Sequence, residues 1–160
     1  NTVIGSNVII NAGAKIGQEG FGYIKDLDGN YIQFPHIGKV IIKDNVEIGS
    51  NSCIDRGALS DTIIGENTKI DNLCHISHNV KIGKNCLLVA QSEVSGSTVI
   101  EDNVYIGPGT KIIDGIIVKS HSVIGMGAIV RTNVKSKTTI VPFESMDKRE
   151  YIKALKKMRG

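Results

Sequence analysis

Residues 64–82 read IGENTKIDNLCHISHNVKI, with an aliphatic residue at every sixth position. The spacing continues unbroken to residue 130, which gives twelve consecutive aliphatic positions. They are Ile64, Ile70, Ile76, Ile82, Leu88, Val94, Ile100, Ile106, Ile112, Val118, Ile124 and Val130. The same spacing occurs at residues 4, 10 and 16, and again at 42, 48 and 54. A fixed period of six over this length predicts a repeat architecture.

Each repeat has a second inward position and a corner. Four places after the aliphatic residue stands a small or β-branched residue, such as Ser52, Thr68 or Cys74. Three places after it stands Asn or Gly, at positions 7, 13, 45, 51, 57, 67, 79, 85, 103, 109, 115, 127 and 133. These two residue types best tolerate a positive φ, so each repeat is expected to be a short strand that ends in a sharp corner. Three corners close a triangle, and about 18 residues then make one coil of an all-β parallel helix.

Two interruptions and a tail lie outside the repeat. Residues 18–36 contain a Tyr-Ile-Lys run and a Tyr-Ile-Gln run around Asp28-Gly29, which predicts a projecting β-hairpin loop. A four-residue slip precedes Ile64. We expect the β-helix to occupy residues 1–137 and a C-terminal extension to occupy 138–160, with a short amphipathic α-helix over 145–158 that caps the prism or binds an acidic partner.

Composition narrows the class of protein. The chain has 160 residues and a net charge of +3, and residues 144–160 alone hold six Lys or Arg against three Asp or Glu. So mild a bias argues against nucleic acid as a partner. No apolar run approaches the roughly 18 residues of a membrane span, and three cysteines without a C-x-x-C pair favour a reducing, cytoplasmic location. Because the chain opens in repeat without an initiator Met, we expect that an upstream segment has been removed.

With about 18 residues in each coil, residues 18 positions apart in the sequence are expected to be neighbours in space. His78 and Gly96 are 18 residues apart, and Arg56 takes the same position one coil earlier once the slip is counted. An imidazole can accept a proton from an attacking amine or hydroxyl, and an exposed Gly N–H can donate to an oxyanion, so His78 and Gly96 predict acyl transfer. Asp71, one repeat before His78, is expected to orient the imidazole.

The remaining histidines and the cysteines are expected to have structural and not catalytic roles. His75 is expected at the surface or at a subunit contact, His121 at a corner, and His36 at the end of the hairpin. Cys74 and Cys86 are expected to be small core residues. The histidine spacing does not match the three ligands of a zinc site, so no metal is predicted.

Several stretches carry a family resemblance. They are residues 16–23 (IGQEGFGY), 37–42 (IGKVII), 54–59 (IDRGAL), 70–72 (IDN) and 76–79 (ISHN). The chain is similar through them to the hexapeptide-repeat acyltransferases, and specifically to the UDP-3-O-acylglucosamine N-acyltransferases of lipid A biosynthesis. The resemblance implies a left-handed β-helix without a bound cofactor. It also implies a homotrimer with clefts between adjacent prisms.

The same resemblance implies roles for individual residues. His78 would deprotonate the sugar 2-amine, and the Gly96 N–H would bind the oxyanion. Substrate contacts would come from Phe21, Gly22, Tyr23, Arg56 and Asn79. The acyl donor would be the phosphopantetheine thioester of an acyl carrier protein, which the basic C-terminal helix would face. The family's N-terminal uridine-binding domain is absent from this chain, and a second histidine of its site falls at Gly115.

Two other functions compete with this one. A nucleotide-sugar N-acetyltransferase that uses acetyl-CoA would place the same base on the same prism. An inert trimeric scaffold would need neither a histidine beside a stacked glycine nor the projecting loop that carries Phe21.

Overall fold

A computed structural model describes residues 2–142 and 147–159 of the chain. Three parallel sheets form the sides of a left-handed parallel β-helix of about six coils. The first sheet comprises Thr2–Ile4, Val40–Ile42, Thr62–Ile64, Lys81–Ile82, Val99–Ile100 and Ile117–Val118. The second comprises Ile9–Ile10, Glu47–Ile48, Lys69–Ile70, Leu87–Leu88, Tyr105–Ile106, Val123–Ile124 and Thr139–Ile140. The third comprises Lys15–Gln18, Cys53–Asp55, His75–Ile76, Glu93–Val94, Lys111–Ile112 and Ile129–Val130.

The aliphatic ladder forms the core as the period predicts. From Ile42 to Val130, every sixth-position aliphatic side chain is at most 4% exposed. The small inward residues, including Ser52, Thr68, Cys74 and Cys86, are buried beside them. Residues that follow one another every six positions therefore lie on different sheets, whereas residues one coil apart are stacked neighbours.

The first coil is the exception to this burial. Ile4 and Ile10 are 49% and 41% exposed although they occupy ladder positions. No preceding coil covers them among the described residues, so they have stacked neighbours on one side only.

Most predicted corners have the expected conformation. A positive φ occurs at eleven of the thirteen Asn and Gly positions, and Gly57 and Asn133 are the two where the prediction is wrong. Corners at Leu73, Gln91, Ser97 and His121 also have positive φ, without the residue types that favour it. Stacking on neighbouring coils therefore imposes the corner conformation even on unfavourable residue types.

The projecting hairpin is present. Tyr23–Lys25 pairs antiparallel with Tyr31–Gln33. At its tip, the Asp26 carboxylate accepts hydrogen bonds from the backbone N–H groups of Asp28 and Asn30. These bonds lower the pKa of Asp26 and hold the turn closed.

The C-terminal extension predicted for residues 138–160 contains a short strand, Thr139–Ile140, and an α-helix. Parallel pairing continues to Ile140, three residues beyond the expected boundary at 137. The α-helix spans Lys148–Arg159, and the predicted start at residues 145–146 lies outside the described residues. Tyr151, Ile152 and Met158 on this helix are exposed. Among the described residues, no helix has the length and apolar character required to cross a membrane.

Candidate active site

A cleft of about 390 Å³ opens beside the third sheet. It is lined by Phe21, Asp55, His75, Ser77, His78, Glu93, Ser95, Gly96 and Asp114. It contains two imidazoles, three carboxylates and two hydroxyls, together with the exposed ring of Phe21 from the hairpin loop. A larger groove of about 560 Å³ runs beside the first sheet, but its polar lining consists of lysines and carboxylates and offers no neutral base.

The register brings Arg56, His78 and Gly96 to one corner. Ile76 pairs with Ile54 below and with Val94 above. The N–H of Ser97 donates to the carbonyl of His78 at 3.0 Å, which fixes the two coils one above the other. We call residues 77–79 and 95–97 the histidine corner.

Gly96 is required by the position of the imidazole. A Cβ on Gly96 would lie 2.7 Å from Cε1 and 3.0 Å from Nε2 of His78. No real side chain tolerates such contacts, so any larger residue at 96 displaces the His78 ring. The pair thus lies in direct contact, as the 18-residue spacing predicts.

The N–H of Gly96 is available to a ligand. At several other corners, the equivalent amide is capped by an acceptor: Ser50 donates to Asn72, Lys84 to Asp102, Ala90 to Asp71, and Ser120 to Glu101. No oxygen among the described residues accepts from Gly96 N–H. The corner therefore places a free donor against an imidazole, which is the geometry an oxyanion site requires.

Asn79 contacts His78 through its side chain. The Asn79 amide oxygen accepts from Ala58 N–H at 2.8 Å and from the Ser60 hydroxyl at 3.2 Å. Its amide nitrogen therefore faces Nδ1 of His78, at 3.2 Å. In this arrangement, Nδ1 accepts and the proton of the neutral ring lies on Nε2.

Asp71 lies at a different corner of the prism. Its Oδ1 accepts from Asn72 N–H at 2.7 Å and its Oδ2 accepts from Ala90 N–H at 3.1 Å. We call residues 71–73 and 89–91 the aspartate corner. The prediction that Asp71 orients His78 finds no support here, because the residues seven apart follow strands of different sheets and the carboxylate is occupied by backbone amides.

His36 is the residue that sequence reasoning missed. It is buried, and its ring packs edge to face against that of His78 with centroids 5.3 Å apart. Its Nδ1 donates to the carbonyl of Phe34 at 2.8 Å. The only available signal was its place at the end of the inserted hairpin, and a six-residue period says nothing about where an insertion folds back.

The hairpin residues predicted to bind substrate lie near the cleft. Phe21 is 87% exposed and forms part of its wall. Tyr23 packs edge to face against Phe21, with centroids 5.1 Å apart. Gly22 lies against His36, and a Cβ there would be 3.1 Å from Cε1 of that ring.

Arg56 forms an ion pair with Glu19. Its side chain is 25% exposed, and its Nε is buried without a hydrogen-bond partner among the described residues. The charge that the sequence predicts for substrate binding is therefore shared with a carboxylate from the inserted segment.

His75 forms a second polar pair in the cleft. Its Nε2 contacts Oδ2 of the buried Asp55 at 3.1 Å, while Oδ1 of Asp55 accepts from the side chain of Gln18. The hydrogen bond to Asp55 raises the pKa of His75, against the opposing effect of partial burial.

The cysteines are unsuited to nucleophilic catalysis. Cys74 and Cys86 are each 2% exposed, and burial raises the pKa of both thiols. Cys53 is partly exposed, and all three are free. Within residues 2–142 and 147–159, no group of three or more His, Cys, Asp or Glu side chains could hold a metal ion.

The chain is similar in sequence to known bacterial transferases. The family model of the bacterial transferase hexapeptide (six repeats) matches residues 61–96 and 97–132. A UDP-3-O-acylglucosamine N-acyltransferase of Methylobacterium nodulans is 52% identical over 128 residues, 80% of this chain and 34% of that protein. The chain belongs to the UDP-3-O-acylglucosamine N-acyltransferase family. A second relative, UDP-3-O-acylglucosamine N-acyltransferase 2 of Rhodopseudomonas palustris, is 42% identical over 98% of this chain and 42% of its own length.

Solved structures support the fold. The UDP-N-acetylglucosamine acyltransferase of Francisella novicida superposes with a TM-score of 0.77 at 25% identity, over 97% of this chain and 56% of that one. The Arabidopsis UDP-N-acetylglucosamine acyltransferase gives 0.72 at 23% identity, over 87% and 54%. The chain spans less than half the length of the two N-acyltransferase relatives, so it corresponds to one part of such a protein.

Proposed function

We propose that the protein containing this chain transfers an acyl group from a thioester to the 2-amino group of UDP-3-O-acylglucosamine. The observation that carries the proposal is the contact between the His78 imidazole and Gly96, whose N–H is free, at the edge of a cleft. Family membership supplies the substrate, since the related proteins bear this name.

The two groups of the histidine corner have complementary tasks. As the amine attacks the thioester carbonyl, a C–N bond forms and the carbonyl oxygen becomes an oxyanion that Gly96 N–H stabilises. His78 takes the proton from the amine, and the C–S bond then breaks. The imidazolium returns its proton to the leaving thiolate, so atoms and charges balance. Base catalysis and an oxyanion donor each contribute on the order of a hundredfold or more.

The base step requires the ring proton of His78 on Nδ1 and a lone pair on Nε2. The present contact favours the opposite tautomer, because the Asn79 amide nitrogen donates to Nδ1. At 3.2 Å this bond is at the long end of the range, and exchanging one such bond costs only about 1 kcal/mol. The base step therefore requires the Asn79 amide nitrogen to leave this contact when substrate binds.

The donor in this proposal is an acyl carrier protein thioester. The C-terminal helix carries Lys148, Lys153, Lys156 and Lys157, which favour an acidic partner. Three free cysteines, two of them buried, accord with a cytoplasmic location, where such donors would be met.

A homotrimer is the proposed assembly. The outward residues of the first sheet form a mainly apolar row interrupted by one lysine. The row is Val3, Ile41, Ile63, Lys81, Val99 and Ile117. An apolar face of this kind favours packing against a second prism.

The test measures N-acylation by the full-length protein with carrier-bound and CoA-bound acyl donors. His78→Ala is expected to lower kcat by about a hundredfold or more, with His121→Asn, a histidine substitution at a remote corner, as the matched control. Carrier-dependent activity lost only in His78→Ala supports the proposal. Activity with acetyl-CoA alone would support the acetyltransferase, and full activity in His78→Ala would eliminate His78 as the base.

A further inference from the structure

His36 connects the inserted hairpin to the histidine corner. It is 4% exposed, and its ring meets that of His78 at 73°, with centroids 5.3 Å apart. Nδ1 of His36 donates to the carbonyl of Phe34 at 2.8 Å. This bond holds the ring against the segment that directly follows the second strand of the hairpin. The position of one imidazole is thus coupled to that of the other.

Two glycines make this close packing possible. A Cβ on Gly20 would lie 2.9 Å from Nε2 of His36 and 3.0 Å from Cδ2 of His78. A Cβ on Gly22 would lie 3.1 Å from Cε1 of His36. His78 is therefore enclosed by Gly20, His36 and, from the next coil, Gly96. Each of these contacts restricts the orientation of its ring.

The free nitrogen of His36 is the unusual feature. With the proton on Nδ1, Nε2 carries a lone pair, and this atom is buried with no hydrogen-bond partner among the described residues. An unpaired buried acceptor is destabilising, so packing alone does not explain a histidine here. Nε2 of His36 and Cδ2 of His78 both lie next to the position that a Cβ on Gly20 would occupy. The negative end of the His36 ring is therefore on the side that faces His78.

We propose that His36 is a positioning residue that fixes the His78 ring and stabilises the positive charge His78 gains during proton transfer. This inference rests on the proposed function, in which His78 is the base. In a buried setting, a fixed dipole interacts strongly with a nearby charge that appears only in the transition state. His36 would thereby take the role that the sequence suggested for Asp71.

The test compares two replacements in the full-length protein. His36→Phe keeps an aromatic ring against His78 but removes both nitrogens, whereas His36→Gln can still donate to Phe34 and present an oxygen. We expect His36→Phe to lower kcat about tenfold, a transition-state effect of one decade, with the KM for the sugar nucleotide unchanged. His36→Gln should recover most of the loss, and His121→Asn should match the wild type.

Three outcomes would overturn the role of His36. One is a wild-type kcat in His36→Phe while His78→Ala is inactive, which leaves the base assignment intact. Another is an equal loss of kcat in His36→Gln and His36→Phe, because only packing would then explain it. The third is independent of activity. ¹⁵N NMR of histidine-labelled protein is expected to show His36 protonated on Nδ1 and not on Nε2. The reverse tautomer would overturn the inference, even if His36→Phe fails to fold.

Discussion

The histidine corner and the aspartate corner have the same backbone and opposite chemistry. In each, an amide of the upper coil donates to a carbonyl of the lower coil: Ser97 N–H to His78, and Gln91 N–H to Asn72. At the aspartate corner, the neighbouring amide of Ala90 is capped by Asp71. At the histidine corner, the equivalent amide belongs to Gly96 and is free.

One residue accounts for much of this difference. The position equivalent to Asp71 is occupied at the histidine corner by Ser77. Glu101 caps Ser120 with the same 19-residue offset as Asp71 and Ala90, so an acid at this position is a recurring way to satisfy the corner amide. At the histidine corner this cap is absent, and the uncapped glycine lies against the His78 imidazole.

Adding the missing cap is expected to have the largest effect. Ser77→Asp places a carboxylate where it can accept from Gly96 N–H, and loss of an oxyanion donor typically lowers kcat by about 10²–10³-fold. The measurement is kcat for N-acylation, with the melting temperature unchanged or raised. Ser77→Asn separates capping from added charge, and undiminished kcat in both variants would remove Gly96 N–H from the mechanism.

Displacing the imidazole gives the next largest effect. Gly96→Ala introduces a Cβ that would lie 2.7 Å from Cε1 of His78, so the ring must shift. A misplacement of about 1 Å can cost on the order of 10²-fold in kcat. Gly109→Asn is the matched control because Gly109 has φ +68° and open space around it, a conformation Asn adopts readily. Equal kcat values in both variants would contradict the contact.

Removing the existing cap should affect folding and spare catalysis. Asp71→Ser leaves the amides of Asn72 and Ala90 without their carboxylate, and a loss of about 1–3 kcal/mol in the free energy of unfolding is expected. Denaturant unfolding measures this loss, and kcat should stay at the wild-type value. A large fall in kcat at unchanged stability would restore the role in orienting His78 that the sequence suggested.

The tautomer of His78 can be set from Asn79. Asn79→Asp retains an acceptor for Ala58 N–H and offers a second oxygen to Nδ1–H of His78, which leaves the lone pair on Nε2. We expect kcat to stay within about tenfold of the wild type, the equivalent of about 1.4 kcal/mol. If His78 acted as a donor through Nε2–H instead, the variant would be nearly inactive.

The smallest effect concerns the His75 and Asp55 pair. The pKa of His75 is higher in the folded protein than in the unfolded chain. The pair therefore stabilises the fold fully at pH values below the unfolded-state pKa of His75, near 6.5, and this contribution is lost as the pH rises through the folded-state pKa. The His75 side chain is 42% exposed, so the contribution should remain below about 1 kcal/mol. Unfolding of wild type and His75→Gln from pH 5 to 9 should show a steeper fall for the wild type, and parallel curves would contradict it.

The sequence predicts what the period controls. The buried ladder residues and the parallel sheets follow from the six-residue repeat, and the contact of His78 with Gly96 follows from the 18-residue coil. The structure contains all three. The hypothesis that Asp71 orients His78, which the structure does not support, also came from counting along the sequence. A residue seven positions away follows a strand of another sheet, so closeness in sequence is misleading wherever the chain turns through a third of a coil.

Features outside the period were not predictable in the same way. His36 reaches His78 through the fold of an insertion, whose path depends on the hairpin and on the two glycines that let it approach. Ile4 and Ile10 are exposed because burial in a solenoid depends on having a neighbouring coil on both sides. Gly57 lacks the expected positive φ because it belongs to the four-residue slip, where the corner is rebuilt around Ser60.

Because coils of fixed length stack on one another, the active-site geometry depends on the number of residues in each coil. Deleting one residue between Asn79 and Ser95 would bring Ser97 to the place of Gly96 and turn the following ladder residues out of the core. Deleting six would restore the ladder but move every later residue to another sheet, whereas adding a full coil elsewhere would leave the histidine corner unchanged. Related chains should therefore differ in length by whole coils or by loops at corners, with the 18 residues between the imidazole and its glycine kept intact.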